Sequence, residues 1–575
     1  MDFSPDPYIA ENQMKAIIAS MVAFGYIDSS FDPIEKEFVR SHIRKLVDHR
    51  ARAMLGPEGP TLPQAQEWTD HFFKVFDDID RLVQRHFAEP VPQGETHEHF
   101  VLGKLKLWCF ELLKRFDADK QQAILATIDE LIRADGVVHP EEQKFRDELT
   151  HLLAVPEPLD DADLEPVGEG EFIVDKARHV EPRLTDHPML LQSEWDFATD
   201  PVIFAQQCEG DMELVARVMG TLNWQRSKGN GRLGDAFDFS AFATGGAYAD
   251  GDPFLDGHVY VLPTKPNRDV ELLVVGDLHG CYSCLKAALM QADFFTKIEA
   301  HERDPKNNPD IYLVLLGDYI DRGRFSYAGT LRAVMQLYLK WPERVFMLRG
   351  NHEFYIEHKG RVLAPVRPAE AMESIADVAR MDVFVRYMKL FEALPSMLVF
   401  DRTLFVHGGI PRQDTWQQKY KGLSSLNDPE IRFQMMWSDP SESDTIPLEL
   451  QQDNARFPFG RRQFHHFMAQ IGCRSLFRGH ERVTEGFRKV YDGPEGSLFT
   501  LFSAGGATNN DLPPDSTYRE VSPIALSIRH HDGVSTITPM LLDYARYNDP
   551  QYNAFFKQKV GGATDSTPPA TAPVA

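Results

Sequence analysis

Apolar positions fall into two rhythms along this chain. From about residue 256 to 548, short apolar runs alternate with helix-period segments. "ELLVV", "IYLVLL", "RVFML", "TLFV", "SLFR" and "SLFTLFS" have the length and composition of buried strands. Between the second and third lies "SYAGTLRAVMQLYLK", whose Leu331, Val334, Met335, Tyr338 and Leu339 recur at helical spacing. Strand, helix and strand in succession predict an α/β core, with chemistry on the loops beyond the carboxyl ends of the strands. Residues 1–155 keep the helical rhythm almost throughout. In "FDPIEKEFVRSHIRKLV", Ile34, Phe38, Ile43 and Leu46 fall near one face, and Pro33 after Asp32 suits a capped helix start.

The helical region repeats itself at an offset of 107 residues. Ala19 falls on Ala126, Asp28 on Asp135, Pro33 on Pro140, Glu35 on Glu142 and Phe38 on Phe145. Each copy reads as a helix, a short acidic turn and a proline-started helix. Through "IRADGVVHPEE" the second copy resembles the tellurite-resistance (TerB-like) helical domains, a likeness that implies metal binding by Asp135 and Glu142. The alternative is a capping Asp and a first-turn Glu that satisfies the helix dipole, and capping is the commoner fate of such turns. A region of this kind is also a candidate surface for a protein partner.

Residues 156–255 open within "VPEPLDDADLEPVGEGE" (155–171), an acidic linker, and continue into a segment with no clear assignment to either neighbour. Residues 549–575 end in "GGATDSTPPATAPVA", which has nothing to bury and reads as a disordered tail. At 575 residues, more than one core is expected. The formal net charge of −25 argues against a nucleic-acid backbone binder or an anionic membrane surface as partner. Five cysteines do not read as a disulfide framework, and no run of about 18 apolar residues is present. "MDFSPDPYIAENQMK" lacks the basic start of a signal peptide, so a cytoplasmic protein is expected.

The candidate chemistry lies where the strand-like runs end. They lead into Asp277 and His279, into Asp318, Asp321 and Arg322, into Asn351 and His352, into His407, and into His480. Five such endings would gather their polar residues along one edge. Imidazole mixed with carboxylate and amide oxygen suits manganese, iron or zinc better than calcium or magnesium. A carboxylate bridging two cations, and a water ionised between them, fit in-line attack on a phosphate ester. Arg322 offers a fork for phosphate, and His352 a proton for the leaving group.

In order, "GDLHG", "GDYIDRG", "LRGNHE", "HGG", "WSDP", "FPFG" and "RGHE" resemble the phosphoprotein phosphatase family of metal-dependent serine/threonine phosphatases, over about half of the chain. The resemblance implies a calcineurin-like β-sandwich flanked by helices, with an all-α region before it. It implies two divalent cations, manganese foremost, with Asp277 and His279 on the first, Asp318 bridging, and Asn351, His407 and His480 on the second. His352 would be the general acid, oriented by Asp321, and a bridging hydroxide would attack. Arg322 and Arg456 would bind phosphate, Arg461 or Arg462 being alternatives to Arg456. The implied substrate is a phosphoprotein. The family's "SAPNY" is here "SAGGA" (503–507), without the tyrosine, which opens one wall and keeps a diadenosine polyphosphate or other nucleotide hydrolase as the alternative. A third reading makes the helical region a sensing module that dominates function. Cys281 and Cys284 form an isolated C-x-x-C at a helix start, a minor redox candidate.

Overall fold

The computed structural model describes residues 3–27, 31–87, 97–134, 136, 138–155, 171–182, 186–195, 201–234, 236–249, 251–264, 267–377, 379–454, 456–493 and 496–559. Six helices come first: α1 (Pro7–Gly25), α2 (Pro33–Leu55), α3 (Pro63–Phe87), α4 (His97–Lys114), α5 (Ala118–Leu131) and α6 (Pro140–Ala154). They bury one core of their own, including Ile18, Val22, Ile43, Phe76, Leu113, Ile128 and Leu149. The repeat is structural. α2 and α6 each start with Pro at the first position inside a reciprocal capping box, Asp32 with Glu35 and His139 with Glu142. Phe24 meets Phe145 edge-on at 4.9 Å, so one copy packs on the other. Glu142 thus serves as a cap, its carboxylate accepting from the His139 N–H at 2.9 Å. Asp28 and Asp135 lie outside the described residues.

The remaining strands and helices build a sandwich. In chain order the strands are β1 (Glu171–Val174), β2 (Arg178–His179), β3 (Phe254–Asp256), β4 (Val259–Leu262), β5 (Val270–Val275), β6 (Asp310–Leu315), β7 (Val345–Met347), β8 (Ile356–His358), β9 (Arg361–Leu363), β10 (Met397–Phe400), β11 (Thr403–Val406), β12 (Ser475–Arg478), β13 (Phe487–Tyr491), β14 (Ser497–Leu501), β15 (Ile524–His531) and β16 (Val534–Leu541). One sheet runs β1-β16-β15-β5-β6-β7, with β2 beside β16; the other runs β13-β14-β12-β11-β10-β4-β3. β5, β6 and β7 pair in parallel, as do β11, β12 and β14. Their side chains are buried on both faces, as parallel strands covered by helices require. Leu272, Val274 and Leu313 of the first sheet share one core with Phe405, Phe477 and Phe499 of the second.

The segment left unassigned from sequence packs into this sandwich. β1 pairs with β16 in register Glu171↔Val534, and β3 pairs with β4. The helix Pro201–Gly229 lies on the same core, tied by a buried double contact of 2.7 Å each from Arg332 to Asp211. Packing also continues past residue 548: Phe555 is buried, 4.6 Å from the Tyr282 ring and 4.9 Å from Phe325. The rest of the expected tail, from 560, lies outside the described residues, as does the linker 156–170.

Candidate active site

The six expected ligands, together with Asp321, Arg322 and His352, sit just after strands. Asp277 and His279 follow β5, Asp318, Asp321 and Arg322 follow β6, and Asn351 and His352 follow β7. His407 and His480 follow β11 and β12 of the other sheet. Both sheets therefore deliver donors to the same end of the sandwich. The turns that do so are tight. His279, Asp318, Asp321, Arg322 and His480 all have positive φ, between 42° and 69°. Non-glycine residues held in that region mark sites where surrounding structure overrides local preference. Two glycines allow the closest approaches: a Cβ on Gly350 or on Gly479 would lie 2.1 Å from an oxygen of Asp318 or of Asp277.

Asp318 is the hub. Its carboxylate belongs to two triads, His279–Asp318–His352 and Asp277–Asp318–His407, whose ligand atoms lie within 4.8 Å of one another. His279 Nε2 is 3.4 Å and His407 Nε2 3.3 Å from it. Asn351 Oδ1 lies 3.0 Å from both His407 Nε2 and His480 Nδ1. His279 Nδ1 and His407 Nδ1 face the carbonyls of Ile320 and Leu316, which turns each Nε2 inward. All six residues expected as ligands are at most 6% exposed. This crowd of lone-pair atoms, fixed from behind and facing one another, fits a pair of divalent cations.

Electrostatics point the same way. Burial would raise Asp318, but His407, His352 and His279 around it hold its carboxyl well below the usual range. Burial holds Asp277 above that range, against the pull of His407. Burial, reinforced by His352, lowers His279 to about 3, and burial with Arg456 nearby lowers His480. His407 is raised to about 9, its burial outweighed by Asp318.

Beside this cluster His352 Nδ1 lies 2.7 Å from Asp321 Oδ2, whose other oxygen accepts from the Ala371 N–H at 2.8 Å. His352 Nε2 is left facing Asp318 Oδ2 at 4.0 Å. Arg322 lines the same site, but its fork is engaged: Nη1 reaches both Glu370 oxygens at 3.2 Å, and Nη2 the Arg367 carbonyl. Arg456 Nη1 contacts Asp439 at 3.0 Å, and Asp439 lies 3.8 Å from His480 Nε2. Arg461 and Arg462, the alternatives, both pair with Asp444. Trp437 is packed in, its ring 6.2 Å from that of His480.

One residue of the site has no counterpart in the sequence reading. The wall expected to stand open for want of a tyrosine after β14 is filled by Tyr518, which follows the Ser516 cap of a short turn. Its hydroxyl is 3.4 Å from His279 Nε2, its ring packs on His279 and Phe502, and it stands beside Arg322. "DSTYRE", a lone aromatic in a polar loop, was the signal available. The C-x-x-C pair fares differently. Cys281 and Cys284 are both fully buried, and burial pushes the Cys281 thiol well above its ordinary pKa, the opposite of a reactive thiol.

Residues 270–483 match the calcineurin-like phosphoesterase family. The chain is similar to a probable serine/threonine-protein phosphatase of Encephalitozoon cuniculi, 29% identical over 44% of this chain and 50% of that one. It is similar to the serine/threonine-protein phosphatase 4 catalytic subunit of Saccharomyces cerevisiae, 26% identical over 41% of this chain and 70% of that one. Among solved structures, a protein serine/threonine phosphatase of Saccharomyces cerevisiae aligns at 17% identity and a TM-score of 0.36, over 57% of this chain and 88% of that one. The chain spans half the length of the first of these relatives. The strand-end cluster falls within the matched stretch, and the chain thus carries a calcineurin-like metallophosphoesterase domain.

Proposed function

We propose that this protein is a metal-dependent phosphomonoesterase acting on phosphoserine and phosphothreonine in proteins. One observation carries the reading: the turns after β5, β7 and β11, from two sheets, converge oxygen and nitrogen donors on the single carboxylate of Asp318 after β6, and His480 after β12 joins them through Asn351. Asp277, His279 and Asp318 would hold one divalent cation, and Asp318, Asn351, His407 and His480 a second; manganese is the first choice, iron and zinc the alternatives. Bound there, the cations would supply charge for the phosphoryl oxygens and acidify a water.

The chain's own residues do the rest. Asp321 fixes the His352 ring so that Nε2 holds a proton toward the departing oxygen. Arg456 and Arg322 supply fixed positive charge for the phosphate, Arg322 after exchanging its contacts with Glu370. Tyr518 fills the wall whose opening favoured a dinucleotide polyphosphate as substrate, so that alternative loses its motive. The relatives named as serine/threonine-protein phosphatases support the same substrate class. Five unpaired buried cysteines suit a reducing cytoplasm.

The test is turnover of a phosphoserine and phosphothreonine peptide panel against diadenosine tetraphosphate, with metal content measured on the same samples. Phosphopeptide hydrolysis dependent on added manganese is expected, with Asp318→Asn losing both activity and bound metal. Faster turnover of the dinucleotide would reassign the substrate. Full activity of Asp318→Asn would end the two-cation reading.

A further inference from the structure

Between Asp439 and Phe459 the chain leaves the sandwich and returns, and this excursion carries Arg456. Its base is closed by backbone: Asp439 N donates to Arg456 O at 3.1 Å, Phe459 N to Asp439 O at 3.0 Å, and Ser441 N to Phe459 O at 2.8 Å. The Asp439 carboxylate joins Arg456 to Arg478, the latter at 2.6 Å, and stands beside His480. The base of the loop therefore belongs to the candidate site.

Its tip belongs elsewhere. Ile446 and Leu450, 1% and 0% exposed, are buried in the core of the helical region rather than in that of the sandwich. Lys106 of α4 contacts Asp453 at 2.9 Å and Glu148 of α6 at 2.8 Å. Ser441 donates to Glu111, and Arg115 pairs with Glu442. Gly103 lets α4 lie close: a Cβ there would come 2.7 Å from the Asp453 carbonyl oxygen. Between α4 and the loop is a cleft of about 260 Å³, lined on one side by Leu107 and Glu111 and on the other by Asp439, Arg456 and Glu481.

We infer that the N-terminal helical region is an intramolecular positioning element for the phosphate site: by docking on loop 439–459 it sets where Arg456 stands. The inference rests on the phosphate role proposed for Arg456. Without the helices the loop would have to leave Ile446 and Leu450 in water, which favours rearrangement of the tip. Arg456, three residues from Asp453, would move with it. Lys106 and Leu450 act through Arg456 and touch no substrate, so their loss should raise KM for a phosphomonoester more than it lowers kcat.

The experiment uses the full-length, manganese-loaded protein and p-nitrophenyl phosphate. Gly103→Leu, which wedges α4 off the loop, and Leu450→Asp should lower kcat/KM about tenfold, chiefly through KM, with metal content unchanged. Lys106→Ala tests the same link where misfolding is not at issue; a loss of about threefold is expected, restored by Lys106→Arg. Arg456→Ala should lose about tenfold, and Lys106→Ala added to it should cost nothing further, because both act on one contact. Wild-type kcat/KM in the docking variants, or full additivity of Lys106→Ala with Arg456→Ala, would overturn the positioning role while leaving Arg456 in place. A silent Arg456→Ala would overturn the phosphate role and the inference with it.

Discussion

His352 is the residue whose environment says most about the reaction. Burial alone would push its imidazolium toward the neutral form, but the Asp318 charge and the Asp321 contact outweigh burial and raise its pKa. A proton held on Nε2 is what a poor alkoxide leaving group needs. His352→Ala should therefore cost about 10²–10⁴ in kcat on phosphoserine peptides and far less on activated aryl phosphates. A plot of rate against leaving-group pKa checks this: the variant should show a steeper slope, with metal content intact. Equal losses on both substrate types would remove the acid role. The roles read for neighbouring residues show what sequence reaches at this scale. Arg322 was readable as a fork for phosphate, but nothing in "GDYIDRG" announced that Glu370, 48 residues on, would occupy it. Tyr518 stands apart from every motif, and only the packing of Phe502 against His279 gives it a place.

At the scale of elements, the turns after β5, β6 and β12 hold backbone conformations that cost about 1–3 kcal/mol each. Glu353 is one compensation: its buried carboxylate accepts the N–H groups of Asp318, Tyr319 and Gly350 at 2.7, 2.8 and 3.0 Å, stitching two turns together. Gly350 is small because Asp318 needs the room, not because its own φ demands glycine. Gly350→Ala should thus displace the shared carboxylate, lowering metal content and destabilising the fold by about 1–3 kcal/mol. Gly360→Ala is the contrast. Its φ is +73° in the β8–β9 turn with nothing within 4 Å, so it should cost about 1 kcal/mol of stability and leave metal binding alone. Metal analysis and melting of both variants decide it; similar metal content in the two would contradict the steric account. The apolar runs quoted from sequence became β5, β6, β7, β11, β12 and β14 because buried parallel strands are continuous apolar stretches. β1 escaped notice for the converse reason. It is four residues at a sheet edge, and its partner lies 363 positions away, a pairing that no local pattern encodes. The helix expected from "SYAGTLRAVMQLYLK" is present, but its first turn, Ser326–Leu331, is wound as a π-helix, which periodicity does not distinguish from α.

At the scale of the whole molecule, the helical region and the sandwich meet through one loop, so acid should act on each through its own half-buried histidine. In the sandwich, His258 hydrogen-bonds the Leu394 carbonyl at 2.9 Å; burial, and then the cations of Arg432, Arg226 and Arg349, lower its pKa to about 3. In the helical region, burial and Lys45 lower His42 to about 4. Both folded-state values lie below the ordinary histidine value of 6.5. The unfolded chain therefore binds more protons than the folded one below about pH 6.5, and stability rises with pH across that window. The contribution is complete above 6.5 and is lost as pH falls toward 4 for the helical region and toward 3 for the sandwich. The overall charge of −25 shrinks in the same direction, which relieves self-repulsion and opposes the loss, so wild-type protein alone does not separate the two effects. Variants do. His258→Gln and His42→Gln leave the other charges in place and remove one titration each. The denaturant midpoint of wild-type protein measured between pH 7.5 and 4.5 should fall more than that of either variant. Unchanged pH slopes in both would mean that these histidines titrate alike in the folded and unfolded chain.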